Sequence, residues 1–215
     1  MKQITFYLDF ISPYAYLAFE ELPQALLGLS YSMTYKPTAL GVLLRHHGSL
    51  GPAEIPAKRD WTYRHVVWLA HSKGVPLDMP AMHPFNPMPL LRLAVGTDPQ
   101  GLPNRYVCEA LFRHVWQGGA DAVDAARLQA VTAELAPARA ATDDAVKAQL
   151  KAHTEDAIAL NIFGVPAFEV DGKVFWGLDA LPMLRAYLEG DAWFTEAHWN
   201  APLTLPSGLP PKKIT

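Results

Sequence analysis

The chain has 215 residues, 50% of them hydrophobic and 18% charged, with a formal net charge of -3. That length and apolar fraction suffice for a sizeable core, as one domain with an insertion or as two small ones. The mild negative charge, with Lys and Arg scattered, gives no footprint for nucleic acid, and no run reaches the roughly 18 uninterrupted apolar residues of a membrane helix, so neither partner is expected.

Ile4 to Phe10 reads as a buried strand that stops at Ser12, and Pro13-Tyr14-Ala15-Tyr16 starts a helix running to about Leu27. Ser12 is suited to accept an orphan N–H of the first helical turn, and Pro13 suits the first helical position because its missing N–H would be unpaired there anyway. A hydroxyl, free backbone donors and the positive end of a helix dipole then meet at one point, a combination that favours an anion such as a thiolate. Taken alone, Ser12-Pro13 reads as a plain helix cap.

Leu29 to Tyr35 is a second strand, closed by Lys36-Pro37. From Ala39 to about Ala157 the pattern is helical: Ala39–His46, then Ala57–Ser72 with Trp61, Tyr63, Val66, Val67 and Ala70 as its apolar positions, then Pro87–Val95, Asn104–Trp116, Asp124–Leu135 and Thr142–Leu160 with Thr142 as its cap. Strand signals return at Val165–Val170 and Lys173–Trp176, and the Asp171-Gly172 pair between them predicts a type I′ hairpin. A last helix is expected over Asp179–Leu188, ended by Gly190, and the proline-rich tail 201–215 as an extended arm.

The opening residues lack the apolar core and cleavage site of a secretory leader. The single cysteine, Cys108, allows no internal disulfide and fits a reducing cytoplasm, the expected location. It shares a helical face with Val107, Leu111 and Val115, so a buried structural thiol is expected. The eight histidines show no ligand spacing, and no metal site is expected.

The order strand, helix, strand, helical segment, hairpin, helix is an α/β arrangement of βαβ and ββα halves, the thioredoxin-like fold with an all-helical insertion. The expected organisation is a thioredoxin-like domain from residues 1–38 and 161–200, an insertion domain over 39–160, and the arm 201–215. In such a fold the reactive point is the first strand-to-helix turn. Here that turn carries Ser12 and no cysteine, so dithiol exchange is excluded, and any sulfur chemistry needs a sulfur that arrives with a ligand.

Five blocks in order carry a family resemblance: Asp9-Phe10-Ile11-Ser12-Pro13-Tyr14-Ala15-Tyr16-Leu17-Ala18, Ile55-Pro56-Ala57-Lys58-Arg59, His83-Pro84-Phe85-Asn86-Pro87, Gly164-Val165-Pro166-Ala167-Phe168 and Phe175-Trp176-Gly177-Leu178-Asp179. Over about residues 3 to 190 the chain resembles the 2-hydroxychromene-2-carboxylate isomerases, which stand with the kappa-class glutathione transferases in the DsbA-like branch of the thioredoxin superfamily. The resemblance implies glutathione as cofactor, with Ser12 hydrogen-bonding its sulfur, Val165-Pro166 a cis-proline pair facing the peptide, and Gly177, Leu178 and Asp179 at its γ-glutamyl end. Leu178 departs from the polar residue that relatives often carry there. Lys58 would face the glycine carboxylate and Asn86 the second substrate, against ordinary readings of Lys58 as a solvated lysine, Asn86 as a cap before Pro87, and Asp179 as a cap of the last helix.

Trp61, Trp68 and Phe85 are expected in the core or as pocket wall, and Lys36, Arg59 and Arg92 are unranked candidates for a substrate carboxylate. The implied activity is reversible thiolate addition to a small aromatic carboxylate, giving trans-o-hydroxybenzylidenepyruvate, by an enzyme expected to be a homodimer. Alternatives are a kappa-class-like transferase on the same site and a noncatalytic thiol- or peptide-binding module.

Overall fold

The computed structural model describes residues 1–206 and Gly208. The first strand, β1 (Lys2–Leu8), alternates Ile4, Phe6 and Leu8 on one buried face with Tyr7 on the other. The helix α1 (Pro13–Ala25) follows and presents Ala15, Tyr16, Phe19 and Leu22 to the core at helical spacing. The strand β2 (Tyr31–Pro37) pairs parallel to β1, and β3 (Ala167–Val170) and β4 (Lys173–Trp176) complete the sheet antiparallel, in the order β2-β1-β3-β4. A parallel pair needs a crossover, and α1 supplies it.

β2 begins and ends two residues later than the sequence suggests and contains Pro37 rather than stopping before it. It is an edge strand, where a missing N–H is tolerated, and the ladder continues past the proline through Thr38 N–H to the Leu8 carbonyl at 2.8 Å.

Between the two halves of the sheet run α2 (Leu40–His46), α3 (Pro56–Lys73), α4 (Met88–Gly96), α5 (Arg105–Trp116), α6 (Ala125–Leu135) and α7 (Asp144–Ala159). The side chains of Asn104 and Asp124 cap α5 and α6 by accepting from Val107 N–H and Arg127 N–H. α7 starts after Asp143 rather than Thr142, because the Asp143 carboxylate bonds back to Ala140 N–H and closes the preceding turn.

The hairpin turn has Asp171 at φ 51° and Gly172 at φ 77°, the positive pair that a type I′ turn demands. After β4, a single 3-10 turn, Leu178–Ala180, precedes α8 (Leu181–Glu189), so the last predicted helix starts two residues late; Gly190 at φ 85° ends it. A short helix α9 (Glu196–Asn200) and a 3-10 turn at Ala201–Thr204 follow. The predicted arm thus begins with a turn, and most of its remainder lies outside the described residues.

One core cluster joins the Ile4, Phe6 and Leu8 face to α1, α4, α5 and α8; a smaller one holds Tyr7, Leu43 of α2, Ala157 of α7, Ile162, Val165 and Ala167 on the other face. Cys108 is fully buried in the larger cluster, as its helical face predicts, and burial pushes its thiol far up.

Of the two places expected for Trp61 and Trp68, the structure rules out the core. Trp61 and Trp68 are 65% and 60% exposed, and Val67 is exposed too; of α3 only Val66 and Ala70 are buried. The helix lies on the surface with a narrow inward stripe, and its indoles stack on His65, with ring centroids 5.9 and 6.3 Å away. Phe85 is partly buried against the larger cluster, as expected.

Candidate active site

Ser12 lies where β1 hands over to α1 and is 6% exposed. Its extended backbone (φ -88°, ψ 114°) makes it the N-cap, and its Oγ accepts Ala15 N–H at 3.2 Å with Pro13 in the first turn. Both features of the plain cap are therefore present. The same hydroxyl reaches across to the loop before β3 and donates to the Val165 carbonyl at 3.3 Å. The Val165–Pro166 peptide bond is cis.

From there the geometry runs on without a gap. The Pro166 carbonyl accepts Gly177 N–H at 2.9 Å, and Gly177 opens the Leu178–Ala180 turn. Gly177 has φ 105°, a backbone conformation that L side chains rarely adopt, so this position favours glycine. The turn packs on α1, with Leu178 against the larger core and Asp179 exposed. Ser12, Val165, Pro166, Gly177, Leu178 and Asp179, drawn from three distant stretches, thus form one continuous corner.

Tyr14, two residues past Ser12, carries the corner to α3. Its hydroxyl is 2.9 Å from His65 Nδ1, and its phenol is pushed up first by burial and then by the charge of Asp179. Lys58 is exposed in the first turn of the same helix, with no salt-bridge partner among the described residues. Asn86 stands apart: it is exposed, one residue before Pro87, which caps α4, and its Oδ1 accepts Met88 N–H at 3.1 Å in a local turn. Of the three cations considered for a carboxylate, Lys36 is paired with Asp156 at 2.7 Å and Arg59 with Asp60 at 3.4 Å, whereas Arg92 Nε is buried without a partner among the described residues.

The carbonyls leading into Ser12 are held by side chains from the helical segment. Trp116 Nε1 donates to the Phe10 carbonyl at 2.9 Å and His83 Nε2 to the Ile11 carbonyl at 2.9 Å. Tyr63 Oη lies 2.8 Å from His83 Nδ1 and 2.7 Å from the His83 carbonyl, where its one hydrogen can be given, and burial pulls the His83 pKa down, favouring the neutral ring. No spacing in the sequence signals either tie. Asp9, also absent from the predicted site, does leave a trace: it is an acid within the apolar run Phe6-Tyr7-Leu8-Asp9-Phe10.

Two cavities of about 400 Å³ lie elsewhere, one between α5 and α6 and one against β2. Neither is lined by a residue of the Ser12 corner, and the α5–α6 groove is threaded by Arg127, which is already bonded to the carbonyls of Asp121 and His114.

A family model for the DSBA-like thioredoxin domain matches residues 3–189. The chain is 28% identical over 195 residues to a 2-hydroxychromene-2-carboxylate isomerase from Sphingobium xenophagum, covering 87% of this chain and 98% of that one. It is 25% identical over 212 residues to glutathione S-transferase kappa 1 from Rattus norvegicus, covering 89% and 92%. The solved structure of a 2-hydroxychromene-2-carboxylate isomerase superposes with a TM-score of 0.75 at 22% identity, over 94% of this chain and all of that one, which establishes the shared fold.

Proposed function

We propose that this chain, which belongs to the family of DSBA-like thioredoxin domains, is a glutathione-dependent isomerase of small aromatic acids of the 2-hydroxychromene-2-carboxylate type. One observation carries the reading. At the corner where this fold does its sulfur chemistry stands a buried hydroxyl, Ser12 Oγ, facing the cis Val165–Pro166 bond, while the one cysteine of the chain is sealed in the core. A site so built has kept the means to stabilise a thiolate and lacks a thiolate of its own.

The donor set fits glutathione. Ser12 and the N-terminus of α1 would hold the sulfur in its ionised form, by a hydrogen bond to the charged state and by the helix dipole. The Val165 backbone would pair with the extended peptide as an added strand does, beside Pro166. Gly177 and Leu178 would lend backbone donors to the γ-glutamyl carboxylate and Asp179 would pair with its amino group. Lys58 would face the glycine carboxylate, and Asn86 the second substrate once its local bond is released. Bound glutathione supplies a thiolate that adds reversibly to a conjugated double bond, permits rotation about it, and leaves unchanged. Ser12 has no base beside it to make it a nucleophile, so its part is to hold and release charge at sulfur.

The test is Ser12→Ala. The expected result is a raised thiol pKa for bound glutathione, read from thiolate absorbance, and a turnover loss of about tenfold or more with peptide affinity largely kept. Unchanged activity at pH 7 refutes the assignment. The similarity to the kappa 1 transferase supports a second reading, in which the adduct leaves as product. Product analysis separates the two, since only a transferase consumes glutathione.

A further inference from the structure

Asp9 is fully buried at the end of β1, one turn before Ser12, and the mechanism above makes no use of it. Its main-chain carbonyl accepts Ser12 N–H at 3.1 Å. Its carboxylate accepts Ile11 N–H on Oδ1 at 3.2 Å and Leu40 N–H on Oδ2 at 2.9 Å. Leu40 opens α2, whose own cap residue, Ala39, has no side chain to offer, so Asp9 satisfies that helix end from across the sheet. One acid therefore clamps the turn that presents Ser12 to a second element.

We propose that Asp9 is the positioning residue of the Ser12 turn: its ionised carboxylate holds the turn in the conformation that receives the peptide, and protonation loosens it. The inference rests on the glutathione reading of the corner. The chemistry of the clamp is one-sided, because among the described residues the Asp9 carboxylate meets only N–H donors. An ionised carboxylate accepts strongly on both oxygens; a protonated one accepts poorly on the oxygen that carries the hydrogen, so the bond to Ile11 or Leu40 at that oxygen weakens.

Burial works against the ionised form and lifts its pKa from 3.8 to about 7, while the N–H groups of Leu40, Ile11 and Phe10 pull it down. The titratable and charged groups on the packed elements are Lys2 and Tyr7 on β1, Tyr31, Tyr35 and Lys36 on β2, Arg45 and His46 on α2 with His47 after it, Asp144, Lys147, Lys151, His153, Glu155 and Asp156 on α7, Glu169 on β3, and His83 beside Ile11; the shift of Asp9 is set by burial and main-chain N–H groups. Below about pH 7 the folded protein retains a proton that the unfolded chain, at 3.8, has released. Stability of the free protein therefore falls as pH rises from about 4 to about 7 and levels off above. The turn tightens over the upper part of the same window.

The experiment uses the full chain and S-methylglutathione, whose blocked sulfur removes the thiol's own titration. Its affinity for the wild type, measured by calorimetry, should rise by at least about fivefold between pH 6 and pH 8. Asp9→Asn, which also presents a donor to the same N–H groups, should stay at the low, pH 6 affinity throughout. An Asn variant that keeps the wild-type pH dependence, or a wild type that binds with the same affinity at both pH values, overturns the proposal.

A second measurement needs no variant and no ligand. In the NMR spectrum of the free wild type, the Asp9 carboxyl carbon should titrate near pH 7, and the Ile11 and Leu40 amides should move with the same midpoint. A carboxyl titrating near 4, or amides that do not follow it, also overturns the proposal. If the wild type binds S-methylglutathione at no pH while the amides do follow Asp9, the clamp stands and the glutathione reading falls.

Discussion

Replacing Trp116 with phenylalanine should damage the molecule well beyond the loss of one ring. The indole is fully buried and stacked near Tyr16 at 6.4 Å, and its Nε1 holds the Phe10 carbonyl at 2.9 Å. A phenyl ring reaches neither the carbonyl nor the full volume. Leaving a buried carbonyl unpaired costs about 1–3 kcal/mol, and the gap behind the smaller ring adds about 1–2 kcal/mol. The expected destabilisation is therefore roughly 2–5 kcal/mol, a fall in Tm of roughly 5–15 °C for a chain of this size. Thermal and denaturant unfolding followed by circular dichroism measure it. Phe112→Leu is the control, because Phe112 packs on Phe10 at 5.0 Å without a polar bond and reports lost volume alone. A Trp116→Phe protein within about 1 kcal/mol of wild type would refute the idea that this indole sets the strand-to-helix turn.

Gly96→Ala should destabilise by about 2 kcal/mol or more, because a Cβ there would stand 2.5 Å from the Arg139 main-chain oxygen, which has no rotamer with which to retreat; urea unfolding checks it. Cys108 should resist a thiol reagent in the native protein and react fully in denaturant, since it is fully buried and burial disfavours its thiolate; rapid native labelling would contradict the packing. Asp179→Ala should weaken glutathione binding by about tenfold with fold stability nearly unchanged, because this carboxylate is exposed. Calorimetry and thermal unfolding read the two effects, and a pure turnover defect at normal affinity would refute the assignment.

The parts of this fold legible in the sequence are those set by neighbours. The strand ending at Ser12, the cap and Pro13, the Asp171-Gly172 turn and the face carrying Cys108 each rest on residues within one or two turns of each other, where backbone preference decides. The corner itself assembles from residues 12, 165–166 and 177–179, and there the periodic pattern alone says nothing; the ordered blocks of family resemblance placed them. What escaped both routes was tertiary. On α3 Trp61 and Val67 counted among the apolar positions, yet a helix with a narrow inward stripe turns them to solvent. The ties from His83 and Trp116 join positions tens of residues apart, and the cis bond at His83–Pro84 has no local signature.

A hydroxyl has a single hydrogen, and that of Ser12 is already given to the Val165 carbonyl. A sulfur anion that takes it leaves that oxygen bare unless the newcomer brings an amide to cover it. A peptide lying along the loop makes the trade even; a simple mercaptan does not. Discrimination between tripeptide thiols and small alkyl thiols would then arise from one shared proton, without any side chain reading the ligand's shape.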